Sequence, residues 1–229
     1  MRIPGSRSTY HLPILGFWQQ LRAGRLARRW LQLGAGLVVA ALAIALMVEA
    51  RLGLDPWNLL HEGLVKHLGL SFGTVTIVSG ILVLVLWVPL RQPLGAGTIV
   101  NTLLIGGLID VALWAVPTPE AWWAWVVFLL IGLVLCGAGA AVYLGSHLGP
   151  GPRDGLMTGL VARTGRSIRL VRTGLEASVL LVGFLLGGTV GIGTVLFAVP
   201  IGPLIQFFLP RVTAPLELPA EDAEPAHRS

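Results

Sequence analysis

Charge is scarce in this chain: Asp, Glu, Lys and Arg make up 12% of its 229 residues, about half the share found in soluble domains. With 55% hydrophobic residues and a mean hydropathy of +0.81, that shortage excludes an ordinary soluble globule and points to a chain crossing a membrane several times. Cysteine is nearly missing. The single Cys136 excludes a disulfide framework within one chain and offers no metal cluster. The chain also lacks a P-loop, a dinucleotide fingerprint, a C-x-x-C pair and a G-x-S-x-G elbow. No soluble stretch is long enough for a separate catalytic core, so neither enzyme, metal site nor cofactor is expected. The net charge of +5 comes almost wholly from Arg. In a membrane chain that bias reads as a topology signal and not as a nucleic-acid surface.

What is present is apolar and periodic. Six spans can be drawn, over 31–50, 73–90, 97–116, 122–144, 170–189 and 191–209, each near the roughly 20 residues that cross the hydrocarbon. With the N-terminus inside, Lys and Arg divide 14 inside to 2 outside, the two being Arg51 and Lys66. That split predicts cytoplasmic termini and a bacterial cytoplasmic-membrane, multi-pass protein. Residues 1–30 read as a basic amphipathic arm, with Phe17, Trp18 and Trp30 at headgroup level and its Arg side chains toward anionic lipid. A twin-Arg export signal around Arg28–Arg29 is the weaker reading, because the rest of the chain is itself membrane-embedded. The tail 211–229 is rich in Pro and acids and reads as disordered.

Two stretches fit no span, and an internal repeat relates them. Shifted by 96 positions, "LGLDPWNLLHEGLVKHLGLS" from Leu52 meets "LGPGPRDGLMTGLVARTGRS" from Leu148, and 21 of the 63 positions from Leu52 to Trp114 are identical to their partners. The kept residues include Pro56 and Pro152, Gly63 and Gly159, and the Gly-x-Gly-Thr pairs Gly95–Gly97 and Gly191–Gly193. Repeat A then runs over 31–116 and repeat B over 122–210. Three spans per copy is an odd number, so the copies enter the bilayer from opposite faces as inverted repeats. The expected fold is all-α: six transmembrane helices in two inverted three-helix repeats, each with a short interfacial or re-entrant helix.

A zinc site does not survive inspection of "HE…H" in the first stretch. Val65 stands where the second His of H-E-x-x-H is needed, and His61 and His67 fall about 240° apart on a helix. Asp55 reads instead as an N-cap with Pro56 at the first helical position, and Gly151–Pro152 repeats the arrangement. Either reading of the short helices stays open: amphipathic and interfacial, with Glu62 and Lys66 paired, or re-entrant, with their positive ends on a shared cavity.

The first span together with "LGLDPWNLLHEGL", "SFGTV", "GAGTIVNTLLIGGLID", "LGPGPRDGLMTGLVARTG" and "VGIGTVLFAVPIGPLIQ" resembles the bacterial YczE/YyaS/YitT membrane proteins, nearest the YczE-like branch. The likeness runs over about 30–210 and implies the fold and a cytoplasmic-membrane location; it suggests transport only by analogy with the repeat architecture.

Polar residues inside spans are costly and each needs a reason. The candidates for substrate contact or gating are Asp55, Asn58, Glu62, Asn101, Asp110, Arg153, Asp154, Arg172 and Glu176. Arg172 and Glu176 also suit a local ion pair, Asp110 a helix end, and Asn101 a hydrogen bond between helices. Gly137, Ala141, Gly145 and Gly149, and likewise Gly183, Gly187 and Gly191, form small-residue faces for close helix packing; Gly187→Leu is expected to damage folding. Glu49 replaces a glycine on the matching face, near Arg51. The preferred expectation is a small-solute transporter or permease with its site between the repeats. The alternative is a membrane scaffold or accessory subunit that recruits partners, and homo-oligomerisation stays open.

Overall fold

The computed structural model describes residues 16–216, and every regular element among them is a helix. In chain order these are α1 (Phe17–Arg22), α2 (Leu26–Ala50), α3 (Pro56–Leu68), α4 (Phe72–Leu90), α5 (Ala96–Ala115), α6 (Trp122–Leu144), α7 (Pro152–Thr164), α8 (Ile168–Leu185), α9 (Ile192–Ala198) and α10 (Ile201–Val212). Four of them, α2, α4, α5 and α6, are long and apolar enough to cross a membrane. A fifth span exists if α9 and α10, bent by 46° at a short break, are taken together. The break falls at Val199–Pro200, where proline has no N–H to continue the ladder. At 18 residues α8 has the length, but it holds Arg169, Arg172 and Glu176. The arm's first fifteen residues and the tail from 217 lie outside the described residues.

Local signals explain the short helices. Asp55 caps α3, its carboxylate accepting from Asn58 N–H at 3.4 Å with Pro56 in the first turn. Gly151 and Pro152 start α7 with nearly the same backbone angles. Both helices are 13 residues long and end on a glycine at φ +65°, Gly69 and Gly165, a left-handed cap that a side chain would strain. Ser71 and Ser167 then cap α4 and α8.

Packing is built on glycine. α2 and α6 lie against each other at the centre, with Gly36 under Tyr143 and Gly139 against Ala40. α3 packs on α8 and α7 on α4. In the first pair Leu59 sits over Gly183 and Gly63 under Leu186; in the second Trp87 sits over Gly155 and Gly159 under Leu90. The loops before α3 and α7 cross the starts of α9 and α5. Gly193 N–H donates to Leu52 O at 2.7 Å, and Gly97 N–H to Leu148 O at 2.7 Å. A Cβ on Gly193 would come within 2.4 Å of Gly53 O, and one on Gly95 within 2.7 Å of Gly149 Cα. These contacts account for the Gly-x-Gly spacing physically.

Two expectations are corrected. Arg29 does not reach toward lipid: α2 begins at Leu26, and Arg29 is fully buried, donating to the carbonyls of Gln20 (2.6 Å), Ser146 (2.8 Å) and His147 (2.8 Å). A guanidinium carries five N–H donors in a fixed fork, and three carbonyls converging on it outcompete a headgroup. Gly187 is not a packing residue either. The helix ends at Leu185, and Gly187 turns the chain at φ +78° with nothing within 4 Å of an added Cβ.

Candidate functional site

The starts of α3 and α7 face one cavity of about 250 Å³, walled by α2, α4, α5, α6, α8, α9 and α10. Asp55 and Asn58 enter it from α3, Arg153 and Asp154 from α7, and Arg172 and Glu176 from α8. Asn101 closes one side from α5. The remaining wall is mostly apolar, with Ile44, Val83, Ile105 and Ile201 among its members.

The polar groups are arranged in pairs. Asp55 accepts from Asn58 Nδ2 and from Arg153 Nη1, the latter at 3.3 Å. Arg153 also lies over the Trp57 ring, 5.2 Å from its centroid, a contact that favours a guanidinium on an aromatic face. Arg172 Nε bonds Glu176 Oε1 at 2.9 Å within α8. That leaves two groups. Asn58 Oδ1 is buried with no hydrogen-bond partner, and Asp154 has no ion-pair partner among the described residues.

His61 borders the same space and already has neighbours of its own. It is 2% exposed, its Nδ1 is 3.2 Å from Thr76 Oγ1, and Phe72 meets its ring edge to face. Sequence reasoning set His61 aside with the zinc idea, although its spacing from Asn58, one helical turn, puts both on one face. Trp57 and Tyr143 were likewise missed; nothing but their neighbours in space marks them as cavity residues.

Two sequence candidates lie elsewhere. Glu62 braces the α8–α9 turn, accepting from Thr189 N–H and Oγ1 at 2.7 Å each and pairing with Lys66 at 2.9 Å. Asp110 ties the end of α5 to the start of α4 through Ser71 Oγ at 2.6 Å and Gly73 N–H at 2.7 Å. Glu49 takes a hydrogen bond from Thr118.

Comparison with known proteins places this chain in a family. Residues 27–210 match the family model DUF6198, described as a family of unknown function. A Haemophilus influenzae protein described as uncharacterized is 42% identical over 173 residues, covering 76% of this chain and 79% of its own. The Bacillus subtilis protein described as uncharacterized membrane protein YczE is 34% identical over 81% of this chain and 87% of its own. The B. subtilis protein YyaS, also described as uncharacterized, is 30% identical over 80% and 94%. No solved structure matches the chain.

Proposed function

The chain belongs to the DUF6198 family of unknown function and is a membrane protein of YczE-like kind, and from that premise we propose that it binds and moves a small solute through the cavity between α3 and α7. The observation that carries the reading is the meeting of two helix starts, 96 residues apart in sequence, in one mostly apolar cavity with charged groups on its wall. Transporters built from inverted repeats put their sites at such a place, where interrupted helices aim their ends at the solute.

The topology that goes with this reading has six spans in two inverted repeats. The equal lengths of α3 and α7, and the mirrored bonds Gly193–Leu52 and Gly97–Leu148, support it. In it α8 is the fifth span. Its Arg172–Glu176 ion pair offsets part of the roughly 2.5–3.5 kcal/mol that each such charge costs at mid-helix. The bent pair α9–α10 is the sixth. α3 and α7 are then re-entrant, not interfacial, since both starts reach a common space. The termini lie on the cytoplasmic side of the cell membrane, the chain does no covalent chemistry, and the basic arm sits on anionic lipid.

Reconstitution of the full chain into liposomes tests the proposal. Uptake of one or more solutes from a panel of amines, carboxylates, alcohols and inorganic ions, lost when Ser79 on the cavity wall is changed to Trp, is the expected result. Absence of flux for the whole panel, with a partner protein co-purifying in fixed ratio, would instead assign an accessory role.

A further inference from the structure

We propose that the solute is a small organic monocation bearing N–H donors, a primary ammonium on a short apolar body, held between Asn58 and Asp154. The inference rests on the reading of the cavity as a solute site and adds the chemistry of what it takes.

Hydrogen-bond polarity comes first. Asn58 is 3% exposed, its Nδ2 donates one hydrogen to Asp55, and its Oδ1 has no partner. A buried unpaired carbonyl costs on the order of 1–3 kcal/mol, so it marks a place that a donor fills. A carbonyl oxygen cannot donate, and therefore it selects against carboxylate or phosphate groups at that point.

Charge points the same way. The cavity holds three carboxyl groups, Asp55, Asp154 and Glu176, and two guanidinium groups, Arg153 and Arg172. Both guanidinium groups are engaged, Arg153 by Asp55 and the Trp57 ring, Arg172 by Glu176. Among the described residues, each guanidinium on the cavity wall already carries a carboxylate partner. The carboxylate with no ion pair among the described residues is Asp154. Asn58 and Asp154 occupy the same position in the two short helices, so an acceptor from each half faces one space. A single ammonium carries three N–H donors and one charge. It satisfies the orphan oxygen and neutralises the spare carboxylate together.

Size and lining set the rest of the molecule. About 250 Å³ lies just under the 300–1,000 Å³ usual for small-molecule pockets. The aliphatic wall of Ile44, Val83 and Ile105 suits an alkyl or aryl body and offers little to a polyhydroxylated one.

The test is titration calorimetry on the full chain in lipid nanodiscs with four probes built on a short alkyl chain: butylammonium, butyltrimethylammonium, butyrate and 1-butanol. Butylammonium is expected to bind at least about tenfold tighter than the other three, because it alone combines the charge with N–H donors. Asp154→Asn and Asn58→Leu are each expected to weaken it by about tenfold or more, in samples that stay monodisperse. Asn58→Ala replaces the second variant if the larger side chain disturbs folding. Butyrate or butanol binding as tightly as the amine, or an amine affinity indifferent to both variants, overturns the inference and leaves the solute site standing. If no probe binds and liposomes pass no solute of the panel, the transport reading falls with it.

Discussion

Gly155 makes the most exacting test of how α7 is seated. A Cβ built there would lie 1.9 Å from Trp87 Cζ2, 2.3 Å from Cη2 and 2.5 Å from Cε2, against the 3.5–4.0 Å at which carbon atoms rest. Trp87 cannot swing away freely. It is 2% exposed, packed with Val83 and Leu156, and its indole N–H donates to Pro152 O at 3.1 Å. Gly155→Ala therefore forces the ring back, at about 1–3 kcal/mol for overpacking plus about 1 kcal/mol for the lost hydrogen bond. Trp87→Leu alone opens a cavity and loses the same bond, for about 2–4 kcal/mol. Together the two changes should cost less than their sum, with a coupling of about 1–3 kcal/mol, since alanine then occupies space the ring has left. Unfolding midpoints of the four proteins in one detergent measure the cycle. If the effects add to within about 0.5 kcal/mol, or if Gly155→Ala alone is silent, Trp87 does not hold α7 in the way described.

Glu62 predicts a pH dependence: burial raises its carboxyl, but the Thr189 N–H and hydroxyl and the Lys66 ammonium outweigh that and hold it below the usual range. A depressed carboxyl stabilises above its unfolded value and loses that contribution as pH falls through the folded one, so wild type should lose stability on acidification with a slope that Glu62→Gln lacks, read from unfolding midpoints against pH. Arg29→Ala should cost about 2–5 kcal/mol, because three buried carbonyls lose their donor, and it should raise proteolysis of the Gly145–Gly149 loop. Gly183→Ala should cost about 1–3 kcal/mol by overpacking, with its Cβ 2.5 Å from Leu59 Cδ2. Gly187→Ala should cost about 1 kcal/mol through backbone strain, Gly187→Asn less, and thermal unfolding separates the two glycines.

Sequence periodicity placed the long helices within a few residues, because continuous apolar runs and Pro or Gly punctuation act locally. It carried α2 only to Leu31, since Arg28 and Arg29 look like a boundary in sequence; two of the three carbonyls that satisfy Arg29 come from residues more than a hundred positions away. The same limit explains the site. Asp55, Asn58, Asn101, Arg153, Asp154, Arg172 and Glu176 were legible as polar residues in awkward places, and all seven line the cavity. Glu62 and Asp110 were equally awkward and are spent on Thr189 and Ser71. Which acid finds a local partner depends on where a neighbouring turn ends, and composition does not encode that. Gly187 failed for a related reason: three glycines at four-residue spacing read as one helical face, but the helix stops between the first and the second.

The glycine crossings and the cavity are parts of one construction. A short helix that starts inside apolar surroundings must have the loop before it fixed, or its free N–H groups would wander and its charges would seek water. Here the loop into α3 is pinned at Leu52 and Gly53 by Gly191 and Gly193, and the loop into α7 at Leu148 and Gly149 by Gly95 and Gly97. The two starts then differ in how they are satisfied. α3 is capped by its own Asp55, whereas α7 begins on Gly151, with no side-chain cap. Asp55 serves both: it caps α3 and also holds Arg153 across the cavity. No carboxylate stands before α7, so the two halves meet across the cavity through the one ion pair of Asp55 with Arg153, while Asp154 takes part in no ion pair among the described residues.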